Sequence, residues 1–166
     1  MAWPEDYISI ILATLLGAMI GLEREISGKA AGLRTNLLIC LGASVFTIIS
    51  REMATAAEGS VTRIAAQIVT GVGFLGAGAI IQDRRGVHGL TTAATIWLVA
   101  SIGMACGAQF YVLALVSSLI AIATLIGLGR LGRSLDQRVK KSKPPKVQGQ
   151  QDKTEQETDT DSTWPM

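Results

Sequence analysis

Apolar residues in this chain run in blocks separated by short polar breaks. Five blocks stand out, at about residues 7–22, 33–50, 64–81, 90–105 and 110–128. Crossing the hydrocarbon core of a bilayer takes about 20 helical residues, with a range of about 17 to 25. Each block therefore predicts a membrane-spanning helix. The first and fourth are slightly short, and extend into the interface through Glu23 or Cys106 or sit in a locally thinned bilayer. A soluble bundle would need a polar stripe along each outer helix, and these blocks lack one. The expected architecture is an all-α polytopic membrane protein, with residues 1–129 as its transmembrane domain.

The pattern occurs twice. Leu16-Gly17-Ala18 leads through a polar loop into Gly32-Leu33-Arg34-Thr35-Asn36, and Leu75-Gly76-Ala77 leads through another into Gly89-Leu90-Thr91-Thr92-Ala93. The same alignment matches Ile39 with Ile96, Leu41 with Leu98, Ala43 with Ala100 and Ser44 with Ser101. Internal repetition constrains architecture, and here it predicts two helical hairpins followed by an unpaired fifth helix. Lys and Arg orient them, because cytoplasmic loops carry the positive excess. The 23–32 loop, Arg34, the 82–89 loop and the tail hold thirteen, against Arg51 and Arg63 on the other side. The N-terminus is expected outside and the C-terminus in the cytoplasm. Both hairpins then point the same way, as a parallel repeat about an axis along the membrane normal. Glu5 and Asp6, with no Lys or Arg before Tyr7, argue against a cleaved signal peptide; Pro4-Glu5-Asp6 suits the first turn of a retained helix.

Composition refines the picture. Gly is abundant, at 18 residues, and aromatics are scarce, at 5%. Membrane helices pack through such small residues, because lipid is as apolar as their side chains. Gly17 and Gly21 form a G-x-x-x-G pair, and Gly71, Gly73, Gly76 and Gly78 form a ridge on the third helix; packing is their expected role, and a hinge or pore wall the alternative. Asn36, Cys40, Ser44, Thr47 and Arg51 share one face of the second helix. That face is expected inside the bundle as interhelical glue, ahead of a wet path. Arg130 to Lys146 is basic, so anionic lipid should attract it at about 1 kcal/mol per charge near the surface. Residues 147–166 are polar and acidic and are expected to be disordered.

Little points to catalysis. Gly71-Val72-Gly73-Phe74-Leu75-Gly76 matches the dinucleotide fingerprint but lies inside a membrane helix, without the strand that the motif requires. His88 is the sole histidine, and nothing resembles a catalytic triad or a zinc site. Neither an enzyme, a cofactor nor a nucleic-acid partner is expected. Cys40 on the inner half of helix two and Cys106 at the outer end of helix four should differ in depth by roughly 15 Å. A disulfide needs Cα atoms within about 7 Å, so free thiols are expected.

One polar constellation stands out at the cytoplasmic boundary. Glu23, Arg24 and Glu25 close the first helix, and Arg34, Thr35 and Asn36 open the second. Gln82 and Asp83 close the third, and Thr91 and Thr92 open the fourth. An ion pair between Glu23 and Arg34 is plausible across the short loop. Ionisable groups that turn inward at the bilayer edge are often functional, whereas those that snorkel outward are anchors. Glu23, Glu25 and Asp83 could contribute to a Mg²⁺ site, but Arg24, Arg34, Arg84 and Arg85 oppose a cation. No metal site is expected.

Gly21-Leu22-Glu23-Arg24-Glu25, Ala31-Gly32-Leu33-Arg34-Thr35-Asn36, Gly71-Val72-Gly73-Phe74-Leu75-Gly76-Ala77-Gly78 and Gly89-Leu90-Thr91-Thr92-Ala93-Ala94-Thr95 resemble the MgtC/SapB family of bacterial inner-membrane proteins, in order and spacing over residues 8 to 128. The resemblance implies a five-helix domain in the inner (plasma) membrane. It also implies a place in magnesium homeostasis and stress adaptation. MgtC-like members are associated with low Mg²⁺ and survival in phagocytes, and with inhibition of the membrane sector of F-type ATP synthase rather than with Mg²⁺ transport. Such members carry a C-terminal ACT-like domain where this chain has a polar tail, so the short SapB-like form is expected. Two classes of function follow. The favoured one is regulation by helix–helix contact with another membrane complex; the other is a small ion transporter or channel built on the repeat. The oligomeric state stays open.

Overall fold

The five apolar blocks become five helices, with one unexpected element between them. The computed structural model describes residues 4–56, 62–83 and 86–142, excluding the side chains of 55–56, 62–65 and 130–142. Its elements are α1 (Pro4–Ile26), α2 (Leu33–Ala56), α3 (Thr62–Gly78), β1 (Ile81–Asp83), β2 (Gly86–His88), α4 (Leu90–Gly107) and α5 (Tyr111–Ser142). Arg84, Arg85, the side chains of Arg63 and of residues 130–142, and residues 143–166 lie outside that description, while the backbone of α5 continues as helix past the expected end of the fifth block at 128.

The helix ends follow local chemistry. Pro4 opens α1, with Glu5 and Asp6 in its first turn, where the lost N–H is no handicap and acids meet the positive dipole end. Gly28, at φ 62°, ends it: Gly28 N–H bonds Glu25 O and Lys29 N–H bonds Arg24 O, the paired closure that a left-handed residue permits. Gln109, at φ 65°, closes α4 in the same way, with Gln109 N–H on Cys106 O and Phe110 N–H on Ala105 O.

Among the described residues, α1, Leu33–Ala54 of α2, α4 and Tyr111–Gly129 of α5 are long and apolar enough to cross a membrane. The chain is a multi-pass helical membrane protein. The shortness expected of the first and fourth blocks is made good by real helices of 23 and 18 residues. The third block is corrected instead. α3 stops at Gly78 rather than continuing to residue 81, and at 17 residues it is shorter than the other helices. Ile81 to Asp83 leave the helix to pair antiparallel with Gly86 to His88, as Ile81↔His88, Gln82↔Val87 and Asp83↔Gly86. Gly86 and Gly89, at φ 130° and 89°, supply backbone angles that other residues rarely adopt.

The core spans both sides of α2 and α4. On one side Ala13, Leu16 and Ile20 of α1 join Cys40, Val99, Ile102, Ala114 and Ala121. On the other, Ile68 and Val72 of α3 meet Ala43, Ile96 and Ala100. Glycines set the closest approaches. A Cβ on Gly17 would lie 2.6 Å from Cys40 Cβ, and one on Gly21 would lie 2.8 Å from Leu33 Cα. α1 and α2 therefore pack antiparallel, backbone to backbone. A Cβ on Gly103 would overlap Cys40 O, and one on Gly107 would overlap Ser44 O. Both contacts advance together, so α2 and α4 run parallel. This register also corrects the cysteine depths. Cys40 faces Gly103, less than one turn from Cys106, and both thiols are free and buried in one cluster.

Candidate functional site

The boundary constellation divides into a buried group and an exposed one. Arg24 is 3% exposed because it falls three residues after Gly21 and seven after Gly17, on the face that packs inward. Its Nη2 donates to Thr92 Oγ1 at 3.1 Å, joining the end of α1 to the start of α4. Its Nε is buried without a hydrogen-bond partner. Asn36 is fully buried. Its Nδ2 donates to Gly32 O at 2.9 Å and to Ala31 O, while Oδ1 has no partner. Glu23 is half-buried: Oε1 accepts from Ser27 Oγ at 2.7 Å, and Oε2 is unpartnered. Glu25 is exposed and uses Oε2 to accept the Leu33 N–H at 2.9 Å, at the first turn of α2.

The remaining residues sit apart. Arg34 and Thr91 point outward, and the expected Glu23–Arg34 ion pair does not form among the described residues. The reason is helix phase: Asn36 turns toward α1, which sends Arg34 outward, and Glu23 is engaged by Ser27. Gln82 and Asp83 lie on the exposed strand β1, with Asp83 3.5 Å from His88 Nε2. Among the described residues no three His, Cys, Asp or Glu side chains are grouped to hold a metal ion.

The polar face of α2 is buried at Asn36, Cys40, Ser44 and Thr47, but its hydroxyl chemistry is local. Thr47 Oγ1 donates to Ala43 O at 2.7 Å, as Thr95 and Ser118 donate to Thr91 O and Ala114 O on their own helices. Short polar side chains often satisfy themselves this way. Ser44 Oγ is buried without a partner, so on this face the bonds to other helices come from Arg51 at its far end.

Glycines separate in the same manner. Gly17 and Gly21 are at helix contacts, and a Cβ on Gly76 would meet Ala93 at about 3.7 Å. A Cβ on Gly71, Gly73 or Gly78 would have nothing within 4 Å, so these three open away from the bundle. Gly103 and Gly107 make closer helix–helix contacts than Gly17 and Gly21, and their own four-residue spacing was a readable signal.

At the opposite end the polar face of α2 finishes in Arg51, which does bond across helices as expected of that face; the partners it gathers there are what sequence reasoning missed. Asp6, 1% exposed, pairs with Arg51 Nη2. Arg51 Nη1 donates to Gly107 O at 3.1 Å, and Nη2 lies 3.6 Å from Glu52 Oε1. One guanidinium thus joins α1, α2 and α4. Beside it Ser9 Oγ and Tyr111 OH lie 3.0 Å apart, and Gln109 Nε2 donates to Glu5 Oε2 at 3.0 Å. The signal was available: opposite charges begin and end the first hairpin, so they share one end of the bundle.

A multi-pass helical bundle with an inward-turned Glu-Arg motif at one end is the class of protein that this geometry defines. The chain belongs to the MgtC family, whose model matches residues 10–134. It is 44% identical over 130 residues to Protein MgtC of Salmonella typhimurium, covering 78% of this chain and 55% of that protein. It is 47% identical over 111 residues to Protein MgtC of Brucella abortus, covering 67% and 46%. An uncharacterized Synechocystis protein, slr0014, is 41% identical over 128 residues, covering 77% and 54%. The chain spans about half the length of these curated relatives. No solved structure matches it.

Proposed function

We propose that this protein is a regulator that acts inside the membrane, by lateral helix contact with another membrane complex. One observation carries the reading. Between α2 and α3 lies a laterally open groove of about 490 Å³, lined by Leu38, Gly42, Phe46, Gln67, Gly71 and Leu75 among others. Gln67 and Gly71 are exposed within it. Small residues allow close approach of a second helix, and an amide at membrane depth gains from a partner. The face of α5 is different: Val112, Leu113, Leu119 and Ile120 are exposed branched aliphatics, which suit lipid.

In this reading the hairpins are a parallel repeat with α2 and α4 at its centre. The positive-loop end faces the cytoplasm in a bacterial inner membrane, and the basic Arg130–Lys146 segment meets anionic lipid. Adaptation to low Mg²⁺ or stress is the setting, and the membrane sector of F-type ATP synthase is the partner that the family resemblance implies. Transport is the weaker reading, because Gly103 and Gly107 press α4 directly onto the α2 backbone and leave no room there for a path.

Photo-crosslinking in native membranes tests this. A probe replacing Gly71 or Phe46 should capture one membrane protein, and a probe replacing Leu119 should not. Equal capture from both faces would sink the proposal. Ion flux through purified protein in proteoliposomes would select transport instead.

A further inference from the structure

The two hairpins treat the helix that follows each loop differently. At α2, the Glu25 carboxylate accepts the Leu33 N–H, so the positive end of that helix receives a negative group from its own chain. At α4, Gly89 stands at the N-cap position, and no side chain caps the helix. The first-turn N–H groups of Leu90, Thr91 and Thr92 have no partners within the helix. What reaches this turn is a cation: Arg24 Nη2 bonds Thr92 Oγ1 at 3.1 Å.

Arg24 stands in the last turn of α1, whose negative end favours a cation, but it also lies against the positive end of α4, where an anion that meets both guanidinium and helix end would be favoured. Arg24 is 3% exposed, and its Nε has no hydrogen-bond partner. Among the described residues no carboxylate lies within ion-pair distance of it. Glu23, next to it in sequence, is near enough for its charge to act on Arg24, but Oε1 is turned to Ser27 and no direct ion pair forms. Leu90 and Thr91 are exposed, so the turn can be reached from outside the bundle.

We infer that Arg24, the Thr92 hydroxyl and the uncapped first turn of α4 form a binding site for a phosphate group. Guanidinium, hydroxyl and helix N-terminal amides are the donors that phosphate oxygens accept. The group belongs either to an anionic lipid headgroup or to a soluble phosphate, and the site would take there the role that Glu25 plays at α2. The inference deepens the regulatory reading by giving the buried polar group a ligand. It is tested on the isolated protein, so it can fail while partner capture succeeds, or the reverse.

The test uses full-length protein in a phosphate-free sugar detergent. One arm titrates inorganic phosphate, with chloride matched for ionic strength, and follows the melting temperature. The other adds phosphatidylglycerol and counts retained lipid by native mass spectrometry. Wild type should bind one of the two saturably, and Arg24→Gln should abolish the effect. Arg24→Lys and Thr92→Val should each weaken binding about tenfold, as expected for losing a charge-assisted hydrogen bond; they also serve if Arg24→Gln fails to fold. Glu25→Gln should leave binding unchanged. Wild type that binds neither ligand, or Arg24→Lys and Thr92→Val that bind like wild type, would overturn the inference.

Discussion

Asp6 and Arg51, 45 residues apart, form a buried ion pair that clasps the start of α1 to the end of α2, and Arg51 extends the clasp to α4 through Gly107 O. Removing one partner of a buried pair leaves the other charge uncompensated, at a cost of about 3–5 kcal/mol. Asp6→Asn should therefore destabilise by roughly 2–3 kcal/mol, at or below the low end because Arg51 is partly exposed and keeps Glu52 within 3.6 Å. Asp6→Leu with Arg51→Met should cost less than the sum of the single changes. Reversible unfolding in mixed micelles measures both. Additive losses would show that the two charges do not act as a pair.

Gly103 and Gly107 hold α4 against carbonyls of α2, whereas Gly71 and Gly73 have open space. Gly103→Ala and Gly107→Ala should each destabilise by about 1–3 kcal/mol through overpacking. Gly71→Ala should change monomer stability by less than about 0.5 kcal/mol. The comparison separates glycines that build the bundle from those left for other contacts. A destabilised Gly71→Ala alongside a stable Gly103→Ala would reverse the assignment.

These contrasts mark how far the residues themselves disclose the structure. The helices were legible because apolar block length is dictated by the bilayer, although α1 runs past the end of its block at 22 to Ile26, where Gly28 closes it. The inward turn of Arg24 was readable too, since Gly17, Gly21 and Arg24 recur at the spacing of one helix face. Arg34 stood in the sequence beside Glu23 as a candidate inward group, because its phase depends on Asn36 meeting α1. The β1–β2 hairpin was missed because three-residue strands carry too few positions to show a period of two. The cysteine depths failed for a different reason. Block boundaries fix where a helix begins, but the α2–α4 register depends on which carbonyls Gly103 and Gly107 touch.

That register brings Cys40 and Cys106 into one buried cluster. Both thiols are fully enclosed, so reagent access requires opening of the bundle. N-ethylmaleimide should label neither in folded protein and both after denaturation in SDS. Asp6→Asn, which loosens the clasp near Gly107, should accelerate labelling of Cys106 more than that of Cys40. Equal acceleration would mean that the whole bundle opens as one unit, and fast labelling of wild type would contradict the enclosure itself.

Glu25 makes a prediction that distinguishes the two hairpins. Its carboxylate caps the first turn of α2 at Leu33 N–H, and losing a cap costs about 1 kcal/mol. Glu25→Ala should therefore speed hydrogen exchange at Leu33 roughly fivefold, with the first turn of α4 unaffected. Gln can still offer an amide oxygen, so Glu25→Gln should have a smaller effect. Substituting Asp or Ser for Gly89 would introduce a side-chain acceptor at the uncapped end of α4, but the left-handed backbone there and the close Ala79 carbonyl penalise any Cβ. The net effect should be destabilising despite the added cap, measured as earlier unfolding of α4. A stabilised Gly89→Asp would mean that the turn can relax, and that its lack of a cap is not imposed by the backbone.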